Sequence, residues 1–213
     1  MFSPQTKRNI LSDPSLLLLL FSNLLTIFFA LRGDFSLSTI MWIYWFQSIT
    51  IGFFNFVRIL SLKEFLTEGF KIDDKPAEPT QSTKIVTAFF FLFHYGFFHF
   101  GYLIFLLNID FSKADGHSAG STEFGFVFFM AMIFFINHLF SYFYNKPRHT
   151  KKMNIGSLMF YPYVRIFPMH LTIVMGSVVG GMLPLFLFLK TLSDAIMHVY
   201  EHRVIRAKDV SNK

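Results

Sequence analysis

Lys190, Asp194, His198 and His202 are spaced by four, so a helix carrying them presents them on one stripe. Glu201 lies seven residues after Asp194 and joins that stripe. Neutral imidazoles and a carboxylate are the ligand types of zinc, iron, nickel or copper. His94 and His170 are further imidazoles in apolar surroundings. Together with Asp194 and His198 they make a three- or four-ligand set for a divalent metal, zinc or iron. The run His198-Val-Tyr-Glu201-His202 also matches H-x-x-E-H, the inverted zinc-protease pattern. That motif is short, and only 11 residues follow His202, which leaves little room for a downstream ligand. A bis-His haem site is a smaller alternative. Glu201 or Lys190 would move protons. Arg165 would orient Asp194 or bind an anionic substrate or lipid headgroup.

Each of these readings has a plainer counterpart. Arg165 and Asp194 could pair to seal a buried charge, or Lys190 could pair with Asp194 four residues on. His198, Glu201 and His202 could be solvated residues at the headgroup boundary. His94/His99 and Arg165/His170 are each five residues apart, roughly 140° around an ideal helix. Neither pair converges on one centre unless its helix is distorted, and Pro168 is placed to distort the second. Gln47, Asn55 and Arg58 lie on one stripe through Ile51.

The elements that must position these residues are long and apolar. The chain has 213 residues, 53% hydrophobic and 15% charged, with 32 Phe and no Cys; its mean hydropathy is +0.48. A soluble domain usually carries about 25% charged residues. The absence of Cys excludes disulfides, thiolate zinc sites, iron–sulfur clusters and thiol nucleophiles. A helix needs about 20 mostly apolar residues to cross the hydrocarbon core. Six segments meet this: about 14–32, 38–59, 85–107, 123–144, 157–177 and 182–202. The last two are separated near Gly176, Gly180, Gly181 and Pro184. Lys7 and Arg8 precede the first, which is long for a signal peptide and lacks a cleavage site. The expected fold is therefore all-α: one transmembrane domain, 1–213, a bundle of six helices. The stretch of about 61–84 reads as a solvated linker, with a short surface helix over Leu62 to Phe70 as one option.

With the N-terminus inside, 15 of the 19 Lys and Arg fall on the cytoplasmic side. This bias places both termini in the cytoplasm of a multi-pass inner-membrane protein. It also accounts for the +6 net charge without nucleic acid as a partner. Counting from the cytoplasmic ends at about 1.5 Å per residue puts His94 and Arg165 roughly 12–14 Å deep and Asp194 roughly 12 Å deep. The ionisable groups thus crowd into the cytoplasmic half. The leading expectation is a metal-binding polar site there, with metal-assisted hydrolysis of a lipid-like substrate as its simplest chemistry. A proton or metal-ion transporter or channel is the first alternative. A structural or assembly protein with a buried polar network is the second. The lipid bilayer is the expected partner, and a homo-oligomer is compatible with this composition.

Several stretches resemble a family of uncharacterised prokaryotic integral-membrane proteins, a domain of unknown function. They are Tyr44-Trp45 through Gly52-Phe53-Phe54-Asn55, His94-Tyr95-Gly96, Arg165-Ile166 with Met169-His170 and Thr172-Ile173, and Lys190-Thr191 with Asp194, His198, Glu201 and His202. The resemblance spans most of the chain and implies a polytopic membrane protein, but no reaction. Two positions depart from its pattern: Gln47 stands where members often carry Glu. Tyr102 stands where a second His follows the His-Tyr-Gly motif, with His99 as its nearest substitute.

Overall fold

The computed structural model describes Leu24, Phe28 and residues 36–108, 124–145, 153–176 and 185–197. These are mostly helical. They divide into two compact units. One comprises Ser38–Asp110 and Ser121–Ile166; the other comprises Met1–Leu37, Phe111–Gly120 and Phe167–Lys213.

In the former unit, helix α1 (Leu37–Ser61) and helix α2 (Gln81–Asn108) are the two long elements. With 25 and 28 residues, both are long and apolar enough to cross a membrane. They lie antiparallel, and the contacts run in order along them. Lys84 Nζ donates to the Leu62 carbonyl at 2.9 Å, and the Phe56 and Phe89 rings meet at 5.6 Å. Further along, Gly52 faces Tyr95, and Trp45 Nε1 donates to the His99 carbonyl at 2.9 Å. Helix α3 (Phe124–Asn145) runs parallel to α1. Trp42 meets Phe124, Phe54 meets Phe135 and Tyr142, and the Ser61 and Tyr142 hydroxyls are 3.1 Å apart.

Polar and apolar faces are inverted relative to a water-soluble helix. α2 buries Thr83, Thr87, Tyr95, His99 and Tyr102. It exposes Phe89, Phe90, Leu92, Phe93, Phe97, Phe100, Ile104 and Leu107, with Phe93 and Phe97 each 72% open. α3 likewise exposes Phe128, Phe129, Met132, Ile133, Ile136 and Phe140. In water such a face would be an aggregation surface; against lipid tails it costs nothing.

The linker between α1 and α2 is not helical. Strand β1 (Phe65–Leu66) pairs in parallel with strand β4 (Met153–Asn154). Strands β2 (Lys71–Ile72) and β3 (Lys75–Pro76) form a hairpin. Its two turn residues, Asp73 and Asp74, have φ of 50° and 60°, the type I′ geometry that matches strand twist. Short polar side chains tolerate that left-handed conformation. This replaces the surface helix considered for Leu62 to Phe70, because pairing with a distant segment satisfies the backbone that a local helix would otherwise satisfy. The same pairing ties the Arg58–Lys84 segment to the segment that follows α3, so both lie at one end of this unit. The Asn154 side chain secures that junction. Its Nδ2 donates to the Glu68 carbonyl at 2.9 Å, while its Oδ1 caps the next helix at Ser157 N–H, 3.0 Å away.

The segment expected as one span at 157–177 is broken. Helix α4 (Ile155–Phe160) passes into a 3₁₀ turn (Tyr161–Arg165), and helix α5 (Ile166–Gly176) follows. Pro162 causes the break, since it has no N–H for the Leu158 carbonyl four residues back. Asn55 of α1 supplies the missing donor: its Nδ2 reaches the buried Leu158 carbonyl at 3.0 Å. In the other unit, residues 185–197 form a helix, α6, that buries Phe186, Leu187, Leu189, Ser193 and Met197.

Candidate functional site: a buried polar centre on two helices

α1 places Tyr44, Ser48, Gly52 and Asn55 along one buried face. α2 places Thr83, Thr87, Phe91, Tyr95 and His99 at intervals of four, continued by Tyr102 and Leu106. Where these stripes meet, three side chains join. The Ser48 and Tyr95 hydroxyls are 2.7 Å apart. Ser48 Oγ lies 2.9 Å from His99 Nε2. His99 Nδ1 lies 2.8 Å from the Tyr95 carbonyl, and the Tyr95 hydroxyl lies 3.1 Å from the Ser48 carbonyl. The Tyr95 and His99 rings sit 4.3 Å apart.

Counting donors fixes the proton positions. A carbonyl only accepts, so His99 Nδ1 carries hydrogen. In the neutral ring Nε2 then accepts from Ser48, and Ser48 accepts from Tyr95. The chain runs Tyr95 to Ser48 to His99. When His99 is an imidazolium, Nε2 donates instead. Ser48 then donates to Tyr95, and Tyr95 turns its hydrogen to the Ser48 carbonyl. Both states satisfy every group in the trio, and they differ by one proton on His99.

Arg165 borders this centre. It is buried at the end of the 3₁₀ turn. Its guanidinium lies over the Tyr44 ring at 4.6 Å, a cation–π contact. Its Nη2 donates to Gln47 Oε1 at 3.4 Å. The Tyr44 hydroxyl donates back to the Arg165 carbonyl at 3.1 Å. Residues 47 and 48 are consecutive, so the guanidinium and the hydroxyl–imidazole chain reach α1 at one level.

Of the other expected site residues, His94 belongs to the same unit as the trio, and His170, Lys190 and Asp194 belong to the other unit. His94 projects from the exposed side of α2, stacked on Phe90 at 5.2 Å, with Nδ1 2.8 Å from the Tyr163 hydroxyl. The angle between His94 and His99 follows from their spacing of five: one is exposed, the other buried. His170 is exposed on α5. Lys190 Nζ and Asp194 Oδ2 form a 3.0 Å ion pair on α6, as the spacing of four allows. His198, Glu201 and His202 lie outside the described residues. Among the described residues, no three or more His, Asp or Glu side chains group closely enough to hold a metal ion.

Residues 5–211 match the model of a family of unknown function (DUF6498). The chain belongs to that family. No curated protein and no solved structure matches the chain. The polar centre is therefore read from its own geometry. Sequence reasoning did not single out Ser48 or Tyr95 as site residues, because a serine and a tyrosine in an apolar run are unremarkable alone. The signal was the run of four-residue intervals on both helices, with Gly52 leaving room for a ring.

Proposed function

We propose that this chain is a multi-pass membrane protein that passes protons through the Tyr95–Ser48–His99 chain, with His99 holding the proton. The observation that carries this reading is the pair of consecutive contacts of 2.7 and 2.9 Å linking phenol, hydroxyl and imidazole. A proton reaching Tyr95 is passed on as Tyr95 gives its own to Ser48. Ser48 in turn gives its own to His99 Nε2, leaving one positive charge on the imidazole; the cycle closes when the imidazolium gives its Nδ1 hydrogen to water and the ring turns over, which restores the starting tautomer. Arg165, a fixed cation bordering the centre, makes that extra charge transient and keeps other cations out.

Six spans, cytoplasmic termini and an inner-membrane location fit this reading. Support comes from the outward apolar faces of α2 and α3 and from the basic residues Arg58, Lys63, Lys71, Lys75 and Lys84 around one end of the α1–α2 pair. The test uses purified protein in liposomes with a trapped pH dye and an imposed potassium diffusion potential. Wild type is expected to acidify or alkalinise the lumen with the sign of the potential, and His99→Gln and Ser48→Ala are expected to abolish this. Wild-type liposomes no leakier than empty ones would end the proposal.

The metal reading, with His94, His170, Asp194 and His198 as ligands, Arg165 toward an anionic substrate and Glu201 or Lys190 as proton carriers, is carried by sequence spacing alone. Its own test is metal analysis of purified wild type against Asp194→Ala plus His198→Ala.

A further inference from the structure

His99 is tied to α1 in two places, one on its ring and one on its backbone. The ring reaches α1 through Nε2, 2.9 Å from Ser48 Oγ, while its Nδ1 is engaged within α2 by the Tyr95 carbonyl. The backbone tie comes from Trp45, whose Nε1 donates to the His99 carbonyl at 2.9 Å. A carbonyl has two lone pairs, so this one can serve both its own helix and the indole. Trp45 and Ser48 are three residues apart and are therefore neighbours on one face of α1. The indole is itself held, edge-on to Trp42 at 5.8 Å and to Phe46 at 5.0 Å. On the other flank, the Tyr44 hydroxyl holds the Arg165 carbonyl. Tyr44 and Trp45 diverge by about 100° around α1, and Ser48, one turn on, falls between them.

We infer that Trp45 is a positioning residue of the proton centre: its indole N–H fixes the His99 backbone against α1, so that the ring can leave Ser48 and return to it. This rests on the proton-transfer reading, whose cycle requires the imidazole to turn over. A ring that turns over breaks both of its own hydrogen bonds, so neither can hold the residue in place during the turn. The bond from Trp45 goes to the carbonyl, does not involve the ring, and persists through it. A residue gripped by its backbone re-forms the 2.9 Å contact to Ser48 from one fixed starting point. A misplacement of about 1 Å in such a contact costs about a hundredfold in rate. Trp45 acts through His99 and does not touch the moving proton.

Magnetic resonance of the full-length protein, labelled with heavy-nitrogen histidine, reports the contact directly. His99→Gln assigns the His99 ring signals, and Ser48→Ala gives the position of the Nε2 signal without its partner. Trp45→Phe removes the indole N–H. A benzothiophene in place of the indole at position 45 removes it while keeping the two-ring shape, and serves should the smaller ring fail to fold. Lys84→Met is the control. It deletes another side-chain bond from α2 to a carbonyl, Lys84 Nζ to that of Leu62 at 2.9 Å, about 22 Å along α2 from His99. Loss of the Trp45 N–H is expected to move the Nε2 signal most of the way to its position in Ser48→Ala and to lower liposome proton flux at least about tenfold. Lys84→Met is expected to change neither. If the Trp45 variant and Lys84→Met both lower the melting temperature while Nε2 keeps its wild-type signal in both, Trp45 only fastens the helices and the inference is overturned. The same holds if both variants move the signal equally. The relay is judged separately. Wild type without flux, with Nε2 displaced in the Trp45 variant, would remove the relay and leave Trp45 as the residue that positions His99. Wild-type flux that is lost in Ser48→Ala but untouched in the Trp45 variants would leave the relay and remove the positioning role.

Discussion

Gly52 and Tyr95 compete for the same space: a Cβ built on Gly52 would lie 2.8 Å from Tyr95 Cδ1 and nearer still to Cε1. The Tyr95 ring can cross toward Ser48 only because residue 52 has no side chain. Gly52→Ala is therefore expected to push the ring off Ser48 and to cost about 1–3 kcal/mol, the range for overpacking a tight contact. Trimming the ring should relieve it, so Gly52→Ala plus Tyr95→Leu should be less destabilised than the sum of the single changes. Additive melting shifts would show that the two residues are not coupled.

The Leu158 carbonyl depends on Asn55 because Pro162 cannot serve it. Asn55→Ala leaves a buried carbonyl unmade and should cost about 1–3 kcal/mol. Pro162→Ala restores the N–H that a continuous helix would use. In that background Asn55→Ala should cost distinctly less, which a double-mutant cycle on thermal unfolding would measure. An unchanged cost would mean that the break at 161–165 is not caused by the missing donor.

Arg165 meets the amide oxygen of Gln47 at 3.4 Å, a long bond to a neutral acceptor. Hydrogen bonds between charged groups are shorter and roughly twice as strong, and a carboxylate here would sit beside an existing buried cation. Gln47→Glu is expected to raise the melting temperature, whereas Arg165→Met in the Gln47→Glu background should lower it sharply by stranding the carboxylate. A lower melting temperature for Gln47→Glu alone would show that the acceptor at 47 does not serve the guanidinium.

These relationships mark what could be read from the residues alone. Three of the six expected helices were legible, because apolar runs near 20 residues long leave few other structures; the expected span 14–32 and both ends of 182–202 lie outside the described residues. The expected spans 38–59 and 85–107 lie within α1 and α2, and 123–144 corresponds to α3 within a residue at each end. The opposition of His94 and His99 was legible too, since 140° around a helix is arithmetic. Which of the two would be buried was not: that was decided by Ser48 and Gly52 on another helix. The break at Pro162 was missed in favour of Pro168, because a proline's effect depends on who else can serve the carbonyl it abandons. The β1–β4 pairing was invisible for the same reason. It joins residues almost 90 positions apart through backbone groups that carry no sequence signature.

Lys190 and Asp194 bring the metal reading to a measurement. Their 3.0 Å pair is mostly buried, with 14% and 11% of the side chains exposed, so removing one partner takes the opposite charge away from a largely buried group and should cost about 3 kcal/mol or more. Lys190→Met and Asp194→Leu should each be markedly destabilising, and the double substitution should recover much of the loss. If Asp194 is also a metal ligand, Lys190→Met removes a cation that competes for its carboxylate. Metal bound per chain at fixed free zinc should then rise, and Asp194→Ala plus His198→Ala should bring it to zero. If Asp194 serves only to neutralise Lys190, zinc content stays at background in all three proteins and only the melting temperatures move.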